Sequence, residues 1–106
     1  MSKRKVVITG ACGYVAGRIL PAFRKRYDLT LLDVRTEDQE GKPVDGVILC
    51  DLIDQDRDAY RGHFRGADAI VHCGWVHPSV PEAGFSAEIE NITMAHNVYQ
   101  TCVEED

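Results

Sequence analysis

Apolar residues along the chain follow two alternating patterns: short unbroken runs, and longer stretches in which they recur every three or four positions. Lys5–Thr9 holds Val6, Val7 and Ile8 in a row, the signature of a strand buried on both faces of a parallel sheet. Tyr14–Arg26 then carries Val15, Ile19, Leu20 and Phe23 at helical spacing, with Arg18, Arg24 and Lys25 on the other side. Pro21 has no N–H to offer the Gly17 carbonyl, which predicts a local kink and not an end to the helix. Residues 29–33 read as a second strand, residues 35–46 as a polar loop broken by Gly41 and Pro43, and residues 47–50 as a third strand. Asp54 is placed to cap a short helix to about His63. A fourth strand is expected over residues 67–73. The longest helix is expected from Glu82 to about Glu104, with Ile89, Ile92, Ala95, Tyr99, Cys102 and Val103 as its apolar stripe.

Strands alternating with helices predict an α/β fold, a Rossmann-type doubly wound parallel sheet. Right-handed crossovers with a reversal after the third strand give the order 3-2-1-4. The ligand crevice then lies beyond the carboxyl ends of the first and fourth strands, where residues 10–13 and 73–75 emerge.

The residues at that crevice carry the chemistry. Val6-Val7-Ile8-Thr9-Gly10-Ala11-Cys12-Gly13-Tyr14 runs from a buried strand through a glycine turn into a helix, and a second strand ends on Asp33. This is the arrangement of a dinucleotide cradle. Gly10 permits a backbone conformation that a side chain obstructs, and Gly13 lets a pyrophosphate approach the helix N-terminus, where free N–H groups and the helix dipole attract it. Ala16 and Gly17 are expected to keep the helix close to the strand beneath. Asp33 can accept from both ribose hydroxyls and repels a 2′-phosphate, favouring NAD over NADP; Arg35, two residues on, could instead meet a phosphate or stack on adenine. Asp51 either accepts from the adenine amino group, with Leu52 beside the ring, or caps its own loop. His72 reads as a satisfied core histidine, and Trp75 either shields the cofactor or covers the edge of the core.

Composition changes this picture little. The chain has 106 residues, enough for one domain, and a formal charge of −5 that argues against nonspecific nucleic-acid binding. No apolar stretch approaches the roughly 20 residues of a membrane span, so neither membrane insertion nor a secretory signal is expected. Cys12, Cys50, Cys73 and Cys102 are scattered without a CxxC pair, which predicts reduced thiols and a cytoplasmic protein. His72, Cys73 and His77 lack a recognised ligand spacing, so no metal site is expected.

Taken together, Thr9-Gly10-Ala11-Cys12-Gly13-Tyr14-Val15-Ala16, Leu32-Asp33, Cys50-Asp51-Leu52, Gly66-Ala67-Asp68-Ala69-Ile70-Val71-His72 and the stretch from Asn91 to Asn97 resemble the extended short-chain dehydrogenase/reductase superfamily, the NAD-dependent epimerase/dehydratase family. The stretch His72-Cys73-Gly74-Trp75-Val76 is most similar to its uronate dehydrogenase branch. The resemblance implies pyrophosphate contacts from Gly10, Cys12, Gly13, Tyr14 and Val15, ribose on Asp33, adenine on Asp51 and Leu52, and a nicotinamide side bordered by Cys73, Gly74 and Trp75. It places Asn91 beside the active site and implies a homodimer through the long C-terminal helix. Two departures stand out: Trp75 replaces a small residue, and Met94-Ala95 replaces Gly-Thr.

The family's hydride transfer uses a tyrosine with a lysine four residues later that favours tyrosinate. Here Tyr14, Tyr27, Tyr60 and Tyr99 are followed at that spacing by Arg18, Leu31, Phe64 and Val103, so no catalytic residue is assigned. The chain is therefore expected to be the cofactor-binding N-terminal portion, residues 1–106, of a longer oxidoreductase or epimerase acting on a sugar or sugar acid, and inactive alone. A nonenzymatic dinucleotide-binding or redox-sensing module is the alternative. Without further strands the fourth strand becomes an apolar edge, which predicts marginal stability or association.

Overall fold

The computed structural model describes residues 3–106. Four strands, β1 (Lys5–Thr9), β2 (Asp28–Asp33), β3 (Val47–Leu49) and β4 (Ala69–His72), form one parallel sheet in the order β3-β2-β1-β4. The predicted doubly wound α/β topology is thus the observed one. In the register, Ile8 lies between Leu31 and Val71, and Thr9 between Leu32 and His72, so β1 is central and its end meets the ends of both neighbours.

Alternation along the strands divides the core in two. Val6, Ile8 and Leu31 pack with Ala11 of the following turn and with Ala16 and Leu20 of α1 (Tyr14–Arg26) on one face. Val7 and Leu32 pack on the other with Leu52, Tyr60, Phe64 and with Met94 and Val98 of α2 (Gly84–Glu104). Each large apolar side chain fully buried here contributes about 1.5–3 kcal/mol. One helix on each face leaves the carboxyl ends of β1, β2 and β4 open on one side of the sheet.

α1 continues through Pro21 to Arg26, and because Gly17 and Pro21 are both exposed, the carbonyl that loses its donor lies on the solvent side. The short helix predicted after Asp54 is instead two 3-10 turns, Arg57–Ala59 and Arg61–His63. Asp56 caps the first by accepting from the Asp58 N–H, while the Asp54 carboxylate accepts from Asp56. Such closely spaced Asx turns compete with α-helix hydrogen bonding. A 3-10 turn at Pro81–Ala83 precedes α2, where the longest helix was expected to begin.

The stripe foreseen on α2 faces the wrong way for a core. Ile92, Tyr99 and Val103 are 63–73% exposed and Ile89 is exposed too, whereas Ala87, Asn91, Met94, Asn97, Val98 and Thr101 form the buried face. Polar residues fit there because backbone carbonyls satisfy them: Asn97 Nδ2 donates to the Leu52 and Asp54 carbonyls of a distant loop at 2.8 and 3.2 Å, and Thr101 Oγ1 donates at 2.6 Å to Asn97 O one turn back in the same helix.

Candidate functional site

The turn from β1 into α1 is held by its backbone. Gly10 has φ +64°, and a Cβ there would stand 2.6 Å from the Cys73 carbonyl carbon and the Gly74 nitrogen. Ala11 N–H donates to Leu32 O, Gly13 N–H to Gly10 O and Gly17 N–H to Gly13 O. α1 then begins at Tyr14 with no capping side chain and no acidic residue in its first turn. The N–H groups that open the helix are thus free of any internal anion, the condition an external phosphate needs. A Cβ on Gly13 would approach Gly10 O to 3.2 Å, so the turn is as close as its two glycines allow.

Asp33, at the end of β2, reaches across to this turn. Its Oδ2 accepts from Cys12 N–H at 2.9 Å and its Oδ1 from Val34 N–H at 2.6 Å, which fixes the carboxylate beside the glycine loop. Cys12 is itself buried and points its thiol at Arg35 O, 3.1 Å away. Burial first, and then the Asp33 charge, raises the pKa of the Cys12 thiol, so it is no nucleophile. Tyr14 and Val15 are exposed at the helix start, and Arg18 donates to the Tyr14 hydroxyl at 2.9 Å while lying over its ring. Two adjoining open clefts of about 500 and 400 Å³ flank α1, bounded by Gly13, Gly17 and the loop containing Asp38. Neither Asp33 nor any of residues 73–75 lines either cleft.

The remaining sequence-assigned residues divide. Asp51 is exposed and its Oδ1 accepts from Ile53 N–H at 3.0 Å, a loop cap, while Leu52 is buried in the core beside Tyr60. Cys73 and Gly74 abut Gly10 through their backbone, and Trp75 is exposed. Asn91 spends both ends of its amide on one residue: Oδ1 accepts from Val76 N–H at 2.6 Å and Nδ2 donates to Val76 O at 2.9 Å. It holds the strand-exit segment to α2. Gly17, expected at the helix–strand contact, instead faces outward with nothing near its missing Cβ, and Ala16 makes that contact.

Sequence reasoning gave no role to Thr9, although it stands immediately before the first glycine. Thr9 is fully buried, and its Oγ1 accepts from Cys73 N–H at 3.0 Å and Gly74 N–H at 3.2 Å and lies 2.6 Å from His72 Nδ1. Tyr60 is buried and donates to Asp54 O, and burial pushes its pKa up to about 12.

No family model matches the sequence, and neither does any of the curated proteins. Solved structures do match. Uronate dehydrogenase from Agrobacterium tumefaciens superposes with TM-score 0.73 at 25% identity over 99% of this chain and 38% of its own. A mutant of that enzyme, complexed with NAD, gives 0.68 at 25% over 94% and 36%. Glucuronic acid dehydrogenase from Chromohalobacter salexigens gives 0.69 at 26% over 92% and 35%. The chain folds as an extended short-chain dehydrogenase/reductase-like unit. UDP-N-acetylglucosamine 4-epimerase from Methanobrevibacter ruminantium M1 shares the fold of this reductase-like unit, with TM-score 0.74 at 21% identity over 99% of this chain and 36% of that one. The chain thus spans little more than a third of the length of these proteins.

Proposed function

We propose that this chain supplies the NAD-binding region of an oxidoreductase or epimerase that acts on a sugar or sugar acid by hydride transfer. The observation that carries the reading is the convergence, at the carboxyl ends of β1 and β2, of an uncapped helix N-terminus and a fixed carboxylate, Asp33. Tyr14 and Val15 N–H would meet the pyrophosphate, with Gly10, Cys12 and Gly13 shaping the turn, and Asp33 the adenosine ribose. Arg35 follows on the same loop, Asp51 and Leu52 border the adenine side, and Cys73, Gly74, Trp75 and Asn91 the nicotinamide side. NAD is preferred over NADP because a second negative group beside the Asp33 carboxylate is repelled. When bound, NAD supplies a hydride acceptor or donor; the chain's residues bind and orient it.

The substrate class rests on the likeness to enzymes described as uronate and glucuronic acid dehydrogenases. The four free cysteines suit a reducing, cytoplasmic setting, and no described helix is long and apolar enough to cross a membrane. A second reading, cofactor binding without turnover, is favoured by one observation: none of the four tyrosines has a lysine four residues on. Calorimetric titration with NAD and NADH, repeated on Asp33→Ala, tests the shared core of both. Binding that weakens at least about tenfold in the variant supports the adenosine site, since it removes charge-assisted hydrogen bonds worth about 1.5–3 kcal/mol. Equal affinity in the two proteins overturns it. Turnover of NAD with a uronate by the pure chain would overturn the expectation that it is inactive alone.

A further inference from the structure

The end of β1 and the end of β4 are joined by a hydroxyl. Thr9 Oγ1 has two lone pairs and one hydrogen. Cys73 N–H, which it shares with Thr9 O at 3.2 Å, and Gly74 N–H occupy the lone pairs. The hydroxyl hydrogen is then directed to the remaining partner, His72 Nδ1 at 2.6 Å, which must be an unprotonated acceptor. His72 is thereby fixed as its Nε2–H tautomer.

We propose that Thr9 is a positioning residue that clamps residues 73–74 against Gly10, and that charging His72 releases this clamp and opens the crevice between β1 and β4. An imidazolium carries hydrogen on Nδ1 as well, so it would be a third donor to an oxygen that already accepts two, and the Thr9 hydrogen would lose its acceptor. One of the three donors must leave, and in the proposed switch it is the Gly74 amide, since Cys73 N–H keeps Thr9 O as an acceptor. That movement cannot be absorbed silently, because Gly10 lies so close to the Cys73 and Gly74 backbone that not even a Cβ fits between them. Nor can Gly74 retreat freely, since Met94 Sδ stands 2.7 Å and His72 Cε1 3.3 Å from where its Cβ would be. The groups facing His72 are Thr9 from β1 and the Tyr99 ring from α2, at 6.3 Å between centroids. Burial is the cause that lowers its pKa, and no charged side chain contributes to the shift. The switch therefore works below the ordinary histidine value near 6.5.

The clamp is tested without any ligand by nitrogen-15 NMR of the histidine rings in the full chain, titrated from about pH 7.5 to about pH 5. The expected result is an unprotonated Nδ1 on His72 at the upper end, with the Cys73 and Gly74 amide resonances moving at the His72 midpoint. An Nδ1–H tautomer, or amides indifferent to that midpoint, overturns the proposal. Its consequence for the cofactor rests on the dinucleotide reading above. NAD affinity in the native chain should fall on the order of fivefold per pH unit below the midpoint, tenfold being the limit for one linked proton. Thr9→Ser, which keeps the hydroxyl, should preserve that slope, and His72→Asn, which keeps an acceptor near Nδ1 but does not titrate, should flatten it. Equal slopes in the native chain and His72→Asn overturn the coupling. If NAD does not bind at all, the functional reading fails while the NMR result still decides the clamp.

Discussion

Gly10 and Gly17 show how differently two glycines of one motif are constrained. At Gly10, φ is +64° and the neighbouring atoms are backbone, which cannot rotate away, so Gly10→Ala should destabilise the chain by more than about 2 kcal/mol. Gly17 sits on the exposed side of α1 with open space around it, so Gly17→Ala should stabilise by about 0.5–1 kcal/mol through helix propensity. Urea unfolding of the two variants checks both, and a Gly10→Ala midpoint at or above the native one would contradict the packing described. The glycine turn, Asp33 and their relation were legible because strand, turn and strand-end carboxylate are local signals at fixed spacing. The Thr9 clamp was not, since its partners lie 63 to 65 residues away and only the β1–β4 register brings them together.

At the scale of elements, the two 3-10 turns and the end of α2 are joined by charge. Arg57 Nη2 lies 2.7 Å from Glu104 Oε2, Arg61 Nη1 lies 3.1 Å from Glu104 Oε1, and Arg65 Nε lies 3.2 Å from Glu105 Oε1. Hydrogen bonds first from Arg57 and then from Gln100 hold the Glu104 carboxyl down to about 2 from its ordinary 4.5. A depressed carboxyl adds stability that is complete above its unfolded value and is lost as pH falls through the folded one. The stability gap between the native chain and Glu104→Gln should therefore hold steady above about pH 5 and close as pH approaches about 2. Chemical denaturation at a series of pH values measures it, and a gap independent of pH would remove the ion pair from the account. The contribution is small at this partly exposed site, and high salt should reduce it.

Across the whole molecule, α2 presents a row of exposed, mostly apolar side chains. Phe85, Ile89, Ile92, His96, Tyr99 and Val103 follow one another in alternating steps of four and three along α2, the spacing of a helix-pairing seam, and all are exposed. The homodimer that the family resemblance implies through this helix would use that seam. Ile92→Glu places a charge near its middle and should convert a dimer to monomer in sedimentation measurements, whereas His63→Gln, on a separate turn, should leave association unchanged. A native chain that is monomeric at high micromolar concentration would exclude the seam as a self-association surface. The β4 edge is the competing route, and association that survives Ile92→Glu would point there.

The sequence by itself determined the parallel α/β architecture, the strand order and the place of the glycine turn, because hydrophobic period and turn chemistry act over a few residues. Tertiary structure decided which face of α2 is the core. Asn91 and Asn97 are polar, yet the carbonyls and N–H groups of distant loops satisfy them in the interior, and Thr101 bonds to the Asn97 carbonyl one turn back, while larger apolar side chains are left outside. Polar burial depends on partners brought by the fold, and no local pattern announces them. The segment after Asp54 likewise follows its Asx turns into 3-10 geometry instead of the helix its cap suggested, and Leu52 packs into the core beside Tyr60.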